Sequence, residues 1–250
     1  MVTPKVDDGT KNAKPAPLAR VLSELRVFVE LGSLVPSLPA LMSAPRGDGH
    51  AVLVLPGMFA SDRSTTILRR YLRGLGYQAH GWKLGRNWGP SHEIREGTAK
   101  RLTELSDQYG RRISLIGWSL GGIYARELAR TNASKVRQII TLASPFAGGL
   151  RREGIDAELA ERLKQPPPVP STAIYTKTDG VVPWAACREI ETPTTDNIEI
   201  PATHIGLGVN PLALWAIADR LALPEGGWRP FDRQGIKSLL YPRGETQTAL

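Results

Sequence analysis

The chain has 250 residues, a formal net charge of +8 and an apolar content of 41%, which is enough for one packed domain. Its single cysteine, Cys187, excludes an internal disulfide and fits a reducing compartment; we expect it to pack as a small hydrophobe. The chain contains no run of eighteen or more apolar residues, so no transmembrane helix is predicted. The polar segment 1–17 lacks the apolar stretch of a secretory signal. These features predict a cytoplasmic protein.

The excess of basic residues does not predict nucleic-acid binding. The arginine pairs at 69–70, 111–112 and 151–152 are scattered among acidic residues and do not form one stripe, and no nucleic-acid-binding motif is present. The four histidines and the cysteine do not have metal-ligand spacing. We therefore expect no nucleic-acid partner, no metal and no cofactor.

The N-terminal part is predicted to consist of a disordered tail, 1–17, and a segment, 18–45, made of an amphipathic helix and a proline-rich connector. Residues 18–34 form the helix, and Pro36, Pro39 and Pro45 are expected to break it. Its apolar stripe recurs at helical spacing: Leu18, Val21, Leu22, Leu25, Phe28, Val29 and Leu31. We expect this stripe to pack on the body of the protein; a second copy of the chain and a membrane surface are the alternatives.

Segment 46–223 alternates strand and helix patterns, which predicts a mainly parallel sheet covered on both faces. The predicted strands are 51–55, 77–82, 113–116, 136–142, 173–176 and 197–200. The predicted helices are 65–75, 91–109, 123–130, 154–163 and 211–221. The C-terminal segment, 224–250, is polar and rich in glycine and proline, and we expect it to extend over the surface.

The segment 116–122 reads Ile-Gly-Trp-Ser-Leu-Gly-Gly and matches the motif G-x-S-x-G around Ser119. An apolar run precedes it and a helix-like run follows it, so the serine falls on a sharp strand-to-helix turn. Such a turn strains the backbone and exposes the hydroxyl, and it needs glycines because side chains there would collide with neighbouring backbone. The pattern predicts a nucleophile; an ordinary glycine-rich turn is the alternative.

A serine hydroxyl becomes a good nucleophile when a nearby base accepts its proton. In hydrolases with this serine motif the base follows the nucleophile along the chain, and only His204 follows Ser119. It lies just after the predicted strand 197–200, on a loop at the sheet edge, so we predict it as the base. The other three histidines are expected to have no catalytic role. His50 is expected to be exposed before the first strand, His80 lies inside a predicted strand, and His92 begins a predicted helix.

The base needs a carboxylate partner, and Asp179 is the best-placed candidate. It follows the predicted strand 173–176 and precedes Gly180, at the carboxyl edge of the sheet where open α/β sheets carry their sites. There it could accept the Nδ1–H of His204 and stabilise the imidazolium. A turn residue without a catalytic role is the alternative, and Asp196 is the second candidate for the acid.

Acyl transfer also needs N–H donors for the oxyanion of the tetrahedral intermediate. The N–H of Leu120, directly after Ser119 at the start of a helix, points to the required place. We expect the second donor in the turn 56–59, Pro-Gly-Met-Phe, which follows the first predicted strand. Met58 is the nominated residue and Phe59 the alternative.

Together these motifs resemble the α/β-hydrolase superfamily, in particular its small lipase- and esterase-like members. The resemblance covers about residues 51–221 and rests on Pro56-Gly57-Met58, Gly117-Trp118-Ser119-Leu120-Gly121, Thr178-Asp179-Gly180 and Thr203-His204. In the family a histidine often precedes the glycine of the first motif, where this chain has Pro56. The resemblance implies an α/β-hydrolase fold, a triad of Ser119, Asp179 and His204, and oxyanion donors at Met58 and Leu120.

Members of the family place a cap or lid in the interval that corresponds to 150–171. Here that interval contains one short predicted helix and three consecutive prolines, so we expect a minimal lid and an open pocket. Aromatic residues on loops near the predicted sheet edge are candidates for an apolar acyl pocket: Phe59, Trp88, Trp118, Phe146 and Trp184.

The resemblance predicts a serine hydrolase that cleaves small-molecule or lipid carboxylic esters through an acyl-enzyme. The same triad could transfer the acyl group to an alcohol or amine, or the chain could keep the fold as a catalytically silent binding protein. The sequence does not indicate an oligomeric state.

Overall fold

The computed structural model describes residues 24–148 and 157–242. Within them six parallel strands form one sheet in the order β2-β1-β3-β4-β5-β6. The strands are β1 Ala51–Leu55, β2 Gln78–Gly81, β3 Ile113–Trp118, β4 Val136–Leu142, β5 Ser171–Tyr175 and β6 Thr195–Glu199. The mainly parallel sheet predicted from the alternation of strand and helix patterns is therefore present.

Helices cover both faces of the sheet, and their apolar sides form two core layers. On one face lie α1 Val27–Met42, α2 Thr66–Gly74 and α6 Pro211–Leu221. On the other lie α3 His92–Tyr109, α4 Leu120–Thr131 and α5 Ala157–Lys164. The central strands β1, β3, β4 and β5 are buried along their whole length. This double burial explains why β1 is a continuous apolar run and why the other three are mainly apolar without a regular alternation.

Side-chain caps fix where two of these helices begin. The Oγ of Ser91 accepts the N–H of Ile94 at 3.2 Å at the start of α3. The Oδ1 of Asn210 accepts the N–H of Leu212 at 2.9 Å at the start of α6. Such caps satisfy N–H groups that have no acceptor inside the helix. These two helix starts lie within one residue of the predicted ones.

The N-terminal helix differs from the prediction in position and orientation. A 3₁₀ turn, Glu24–Arg26, leads into α1, which continues through Pro36 and Pro39 to Met42. The helix persists although each proline removes one backbone hydrogen bond, because tertiary packing fixes it beyond the prolines. Leu41 is buried in the core, and its carbonyl accepts the Tyr71 hydroxyl at 3.2 Å.

The predicted apolar stripe of this helix does not pack on the body. Its members among the described residues, Leu25, Phe28, Val29 and Leu31, are exposed. The segment Glu24–Met42 has 19 residues and a mean hydropathy of 1.4, so by length and composition it could cross a membrane, and only 6% of it is buried. The segment qualifies on average hydropathy alone, because Glu24, Arg26 and Glu30 interrupt it and it is not a continuous apolar run.

The described part of the C-terminal segment, 224–242, is mostly exposed and lies on the surface, held there by two aromatic residues. Up to residue 242 it packs on the domain: Phe231 and Tyr241 are buried, and the Tyr241 hydroxyl donates to the Leu212 carbonyl at 2.9 Å. A short helix, α7 Lys237–Leu240, lies between them. Two aromatic side chains among polar residues therefore hold this segment against α6. The predicted N-terminal tail and residues 149–156 of the predicted lid lie outside the described residues.

Candidate active site

The candidate site lies at the carboxyl ends of the strands, where the order of the sheet switches direction. The chain passes from β1 to β2 on one side and then to β3 on the other side of β1, and ligands bind open α/β sheets at such a switch point. Gly57 follows β1 and Ser119 follows β3. A Cβ atom at Gly57 would lie 3.3 Å from the Cβ of Ser119, so the two loops meet at this point.

Ser119 has the strained backbone that its motif predicts. Its φ of 51° and ψ of −120° lie in a region that non-glycine residues rarely adopt. Its N–H donates to the Leu142 carbonyl at 2.8 Å, which ties the turn to β4. The flanking glycines are required by contacts: a Cβ at Gly117 would lie 2.4 Å from the Gly121 carbonyl oxygen, and one at Gly121 would lie 2.2 Å from that of Leu55.

His204 and Asp179 form a direct pair, with 2.7 Å between the Nδ1 and Oδ2 atoms, and both side chains are buried. The other carboxylate oxygen, Oδ1, accepts the N–H groups of Val181 and Val182, each at 2.7 Å. These bonds orient the carboxylate so that Oδ2 faces the imidazole. The pair leaves Nε2 of His204 as the nitrogen that can act on a second group.

Ser119 and His204 line the same cavity. Within the described residues there is no hydrogen bond between the Ser119 hydroxyl and the imidazole, and such catalytic hydrogen bonds are often long before a substrate binds.

A buried carboxylate from the N-terminal segment holds the histidine loop. The Oε1 atom of Glu24 accepts the N–H of His204 at 3.1 Å and that of Gly180 at 2.8 Å. Its Oε2 atom accepts the N–H of Ile205 at 2.9 Å. Since Gly180 directly follows Asp179, one side chain fixes both the loop of the base and the loop of its acid.

A second carboxylate, that of Glu30 on α1, binds the same histidine loop. It accepts the N–H of Thr203 at 2.7 Å and the side-chain amide of Asn210 at 3.2 Å. A Cβ at Gly206 would lie 2.0 Å from a Glu30 oxygen, so a side chain there would displace the Glu30 carboxylate. From the other side the indole N–H of Trp118 donates to the His204 carbonyl at 3.1 Å. The backbone around His204 is thus fixed by three side chains.

The turn that follows β1 is held by a buried asparagine, Asn87. Its side-chain amide donates to the Pro56 carbonyl at 2.9 Å, and its backbone carbonyl accepts the N–H of Phe59. Its Oδ1 accepts the Tyr124 hydroxyl at 3.1 Å. The Phe59 N–H is therefore already bonded in this structure, and Met58 is the candidate in this turn by its place after Gly57 and in the cavity lining.

The other candidate donor, Leu120, is the first residue of α4. The first N–H groups of a helix have no acceptor within the helix, and together with the helix dipole they favour negative charge at this end. Both Met58 and Leu120 line the cavity that contains Ser119. An oxyanion formed at Ser119 would therefore lie near the start of α4.

The cavity has a volume of about 410 Å³ and a mainly apolar lining. Two of the five aromatic candidates, Phe59 and Trp118, belong to this lining. The remaining lining residues are Gly57, Met58, Ala60, Ser64, Ser119, Leu120, Pro145, Val181, Val182, His204 and Ile205.

The three other aromatic candidates lie outside the lining. Trp88 is exposed and packs edge-on against Phe59, with 6.1 Å between ring centroids. Phe146 is buried beneath the Arg126 guanidinium, which lies 3.8 Å from its ring centroid. Trp184 stacks on Tyr175 at 5.9 Å.

The histidines predicted to be structural lie away from Ser119. The expectation that His50 is exposed was wrong: it is buried, because its imidazole bonds Asp48 and the Ser114 hydroxyl, the latter at 2.8 Å. Burial lowers the pKa of His50. His80 bonds the Tyr109 hydroxyl at 2.9 Å. His92 starts α3 and is exposed.

The alternative acid and the cysteine also have other partners. Asp196 accepts the N–H of Phe231 at 2.7 Å and contacts Arg233, so it holds the C-terminal segment. Cys187 is fully buried, and burial raises the pKa of its thiol. Among the described residues there is no cluster of three or more His, Cys, Asp or Glu side chains that could bind a metal.

Sequence reasoning missed Glu24, Glu30 and Asn87. The two glutamates are the only acids in an otherwise apolar helical segment, and a carboxylate in such a segment usually has a buried partner. That signal could have suggested a structural role, although not which loop they bind. For Asn87 the sequence contains no such signal, because the loop 83–90 has no regular pattern.

Comparison with known proteins shows similarity in structure only. No family model matches the chain, and no curated protein matches its sequence. Aspergillus fumigatus lipase B is similar with a TM-score of 0.60 and 18% identity, covering 80% of this chain and 59% of the lipase. This chain therefore spans about three fifths of that lipase.

Two prokaryotic lipases are similar over nearly their whole length. Mature Bacillus licheniformis lipase BlEst2 has a TM-score of 0.54 and 16% identity, and covers 72% of this chain and 94% of its own. Paleococcus ferrophilus monoacylglycerol lipase has a TM-score of 0.55 and 16% identity, and covers 72% of this chain and 96% of its own. With the parallel sheet and the strained serine turn described above, these likenesses show that the chain has the α/β-hydrolase fold.

Proposed function

We propose that the chain is a serine hydrolase that cleaves carboxylic esters with an apolar acyl group. Ser119 is the nucleophile, His204 the general base and Asp179 the acid that orients it. The observation that carries the proposal is the buried pair of His204 and Asp179 at 2.7 Å beside the cavity of a serine with strained backbone. A turn with a purely structural role does not need a strained serine, a buried His–Asp pair and a cavity shared by the two.

In the first step the Ser119 Oγ attacks the ester carbonyl while Nε2 of His204 takes its proton. The carbonyl oxygen becomes an oxyanion, which the N–H groups of Met58 and Leu120 stabilise; one such donor contributes on the order of 3 kcal/mol to the barrier. Asp179 stabilises the imidazolium and keeps Nε2 directed at the serine. His204 then protonates the leaving alcohol, and an acyl-enzyme remains.

In the second step a water molecule releases the acyl group. His204 takes a proton from the water, which attacks the acyl carbonyl, and then returns the proton to the Ser119 oxygen. The same two N–H groups stabilise the second oxyanion. The carboxylic acid leaves, and the serine is free for another turnover.

The cavity supports an apolar acyl group as the preferred substrate part. Among the described residues its lining contains no Asp, Glu, Lys or Arg side chain, and Phe59, Val181 and Ile205 form an exposed apolar rim. An acidic or basic acyl group would lose its hydration there without a partner. The names of the structural neighbours, two lipases and a monoacylglycerol lipase, agree with this substrate class.

The proposal is tested with p-nitrophenyl esters of increasing acyl length. Ser119→Ala should lower turnover to background while its thermal unfolding stays near that of the wild type. Ser64→Ala removes a hydroxyl from the same cavity lining and is the matched control, which should retain turnover. Unchanged turnover in Ser119→Ala, or failure of a fluorophosphonate probe to label Ser119 in the wild type, would contradict the proposal. Product analysis with added alcohols would detect acyl transfer.

A further inference from the structure

The helix α1 and the turn before it carry apolar residues on both sides, and Leu34 and Leu41 face the body and pack on its core. The side facing the body carries Glu24 and Glu30, whose carboxylates bind backbone of the histidine loop. The side facing away, here called the outer face, carries apolar side chains that are 37–73% exposed: Leu25, Phe28, Val29, Leu31, Val35, Leu38 and Met42. In helices that pack on a body in water the apolar side faces the core, so this outer face is built to be covered.

The outer face adjoins the opening of the cavity. Glu24 binds the N–H groups of Ile205 and Gly180, which places the first turn of this segment beside the rim. Ile205 and Val181, the residue after Gly180, are both lining residues and about half exposed. The rim of the cavity and the start of the outer face are thus joined through the bonds of Glu24.

Positive charge near the outer face complements an anionic surface. The exposed Arg46 lies just after α1 and also donates to the Gly74 carbonyl at 3.3 Å. The two acids of this segment, Glu24 and Glu30, are both turned inward. The whole chain adds a formal net charge of +8. Anionic lipid headgroups attract such a protein, and arginines can reach the headgroups while apolar side chains enter the acyl layer.

We propose that the outer face of α1 docks into the surface of an anionic lipid bilayer and brings the opening of the Ser119 cavity to the headgroup layer. The docking stands independently of catalysis; its consequence, access to esters dissolved in the bilayer, rests on the proposed function. α1 then lies in the plane of the membrane surface, as interfacial helices do.

The contacts of α1 favour lying on the bilayer over crossing it. The segment is fixed to the body at its start through Glu24, in its middle through Glu30 and at its end through the bond between Tyr71 and the Leu41 carbonyl. A helix held along its whole length cannot leave the domain to span a bilayer unless all these bonds break. The outer face is therefore presented to a lipid surface together with the domain.

A bilayer also fits the outer face better than a second copy of the chain does. Protein interfaces contain about one hydrogen bond per 100–200 Å² of buried area. The side chains of the outer face supply no donor or acceptor. Hydrocarbon, in contrast, forms no hydrogen bonds, so an apolar face can insert into it without leaving a donor or acceptor unpaired.

Vesicle flotation of the full chain tests the docking. Vesicles of phosphatidylcholine with phosphatidylglycerol are mixed with wild-type protein, with Ser119→Ala and with the triple variant Phe28→Ser, Val29→Ser and Val35→Ser. Wild type and Ser119→Ala should float, and the triple variant should bind weaker by roughly tenfold or more, since three apolar side chains no longer enter the lipid. Ile190→Ser is the matched control, an exposed apolar residue beyond the rim and α1, and should float like the wild type.

Turnover separates this proposal from the proposed function. The triple variant should hydrolyse a water-soluble short-chain ester at the wild-type rate, because its substitutions are exposed, and should lose turnover of an ester incorporated in vesicles. Soluble-ester turnover without flotation of the wild type would overturn the docking and leave the proposed function intact. Flotation of the triple variant equal to wild type would also overturn it. So would a stable dimer in light scattering that the triple substitution dissociates, because the outer face would then cover a second copy.

Discussion

Glu24 should be a positioning residue for His204, and its replacement offers a direct measure of that role. Its carboxylate accepts three backbone N–H groups, at 2.8, 2.9 and 3.1 Å. A hydrogen bond to a charged group contributes roughly 1.5–3 kcal/mol. The three share one side chain and are not additive, so we take about 3 kcal/mol as the loss of unfolding free energy in Glu24→Ala.

The same replacement should lower kcat more than it changes KM. Without the carboxylate, the loops of His204 and Asp179 lose a common support, and a displacement of about 1 Å in a catalytic group can cost roughly 10²-fold in rate. Glu24→Gln retains one oxygen for the N–H groups of His204 and Gly180 but places an amide against the N–H of Ile205. We therefore expect it to recover roughly half of the logarithmic loss in kcat.

The assay is steady-state hydrolysis of a soluble short-chain p-nitrophenyl ester, with urea unfolding of each variant. Glu225→Gln changes an exposed glutamate that pairs with Arg112 and is the control for the loss of a negative charge; such pairs contribute little. A lower unfolding free energy with unchanged kcat in Glu24→Ala would refute the positioning role and leave a purely structural one. An equal loss of kcat in the Ala and Gln variants would contradict the hydrogen-bond argument.

Three further predictions concern buried features. Arg126→Met leaves the buried Glu189 carboxylate without its cationic partner and should lower the unfolding free energy by about 3–5 kcal/mol. The control Arg162→Met, at a half-exposed pair, should lower it by less than about 1 kcal/mol. Equal losses in urea titrations would contradict this. Burial lowers the pKa of His80 from 6.5 to about 4, so the unfolded chain binds more protons in that window and stability falls as the pH drops through it. His80→Gln should reduce this fall between about pH 7 and about pH 4.5, and an unchanged pH dependence would argue against it. Gly121→Ala puts a Cβ 2.2 Å from a backbone oxygen of β1 and should abolish cooperative thermal unfolding, whereas Gly74→Ala, with open space around it, should not.

The sheet and the candidate triad could be predicted from local pattern because each of their signals lies within a few residues. β4 was predicted with the bounds that the structure gives it, 136–142, because its four aliphatic residues outweigh its three polar ones, as expected of a strand buried on both faces. The motif around Ser119 likewise contains its own explanation, since its glycines avoid clashes within the same turn and with β1. The pairing of His204 with Asp179 followed from chain order and from strand ends, which all meet at one edge of a parallel sheet.

The position of α1 could not be predicted in this way because it depends on partners about 150–180 residues away in the chain. Local rules gave a helix that ends before Pro36 and an apolar stripe directed at the core. The bonds of Glu24 and Glu30 to the histidine loop turn that helix so that its acids face inward and its apolar stripe faces outward. Glu24 is buried and Glu30 is half-buried, and in this orientation both carboxylates accept backbone N–H groups of the histidine loop. The orientation that exposes the apolar outer face of α1 is thus the one in which the loop of His204 is held in place.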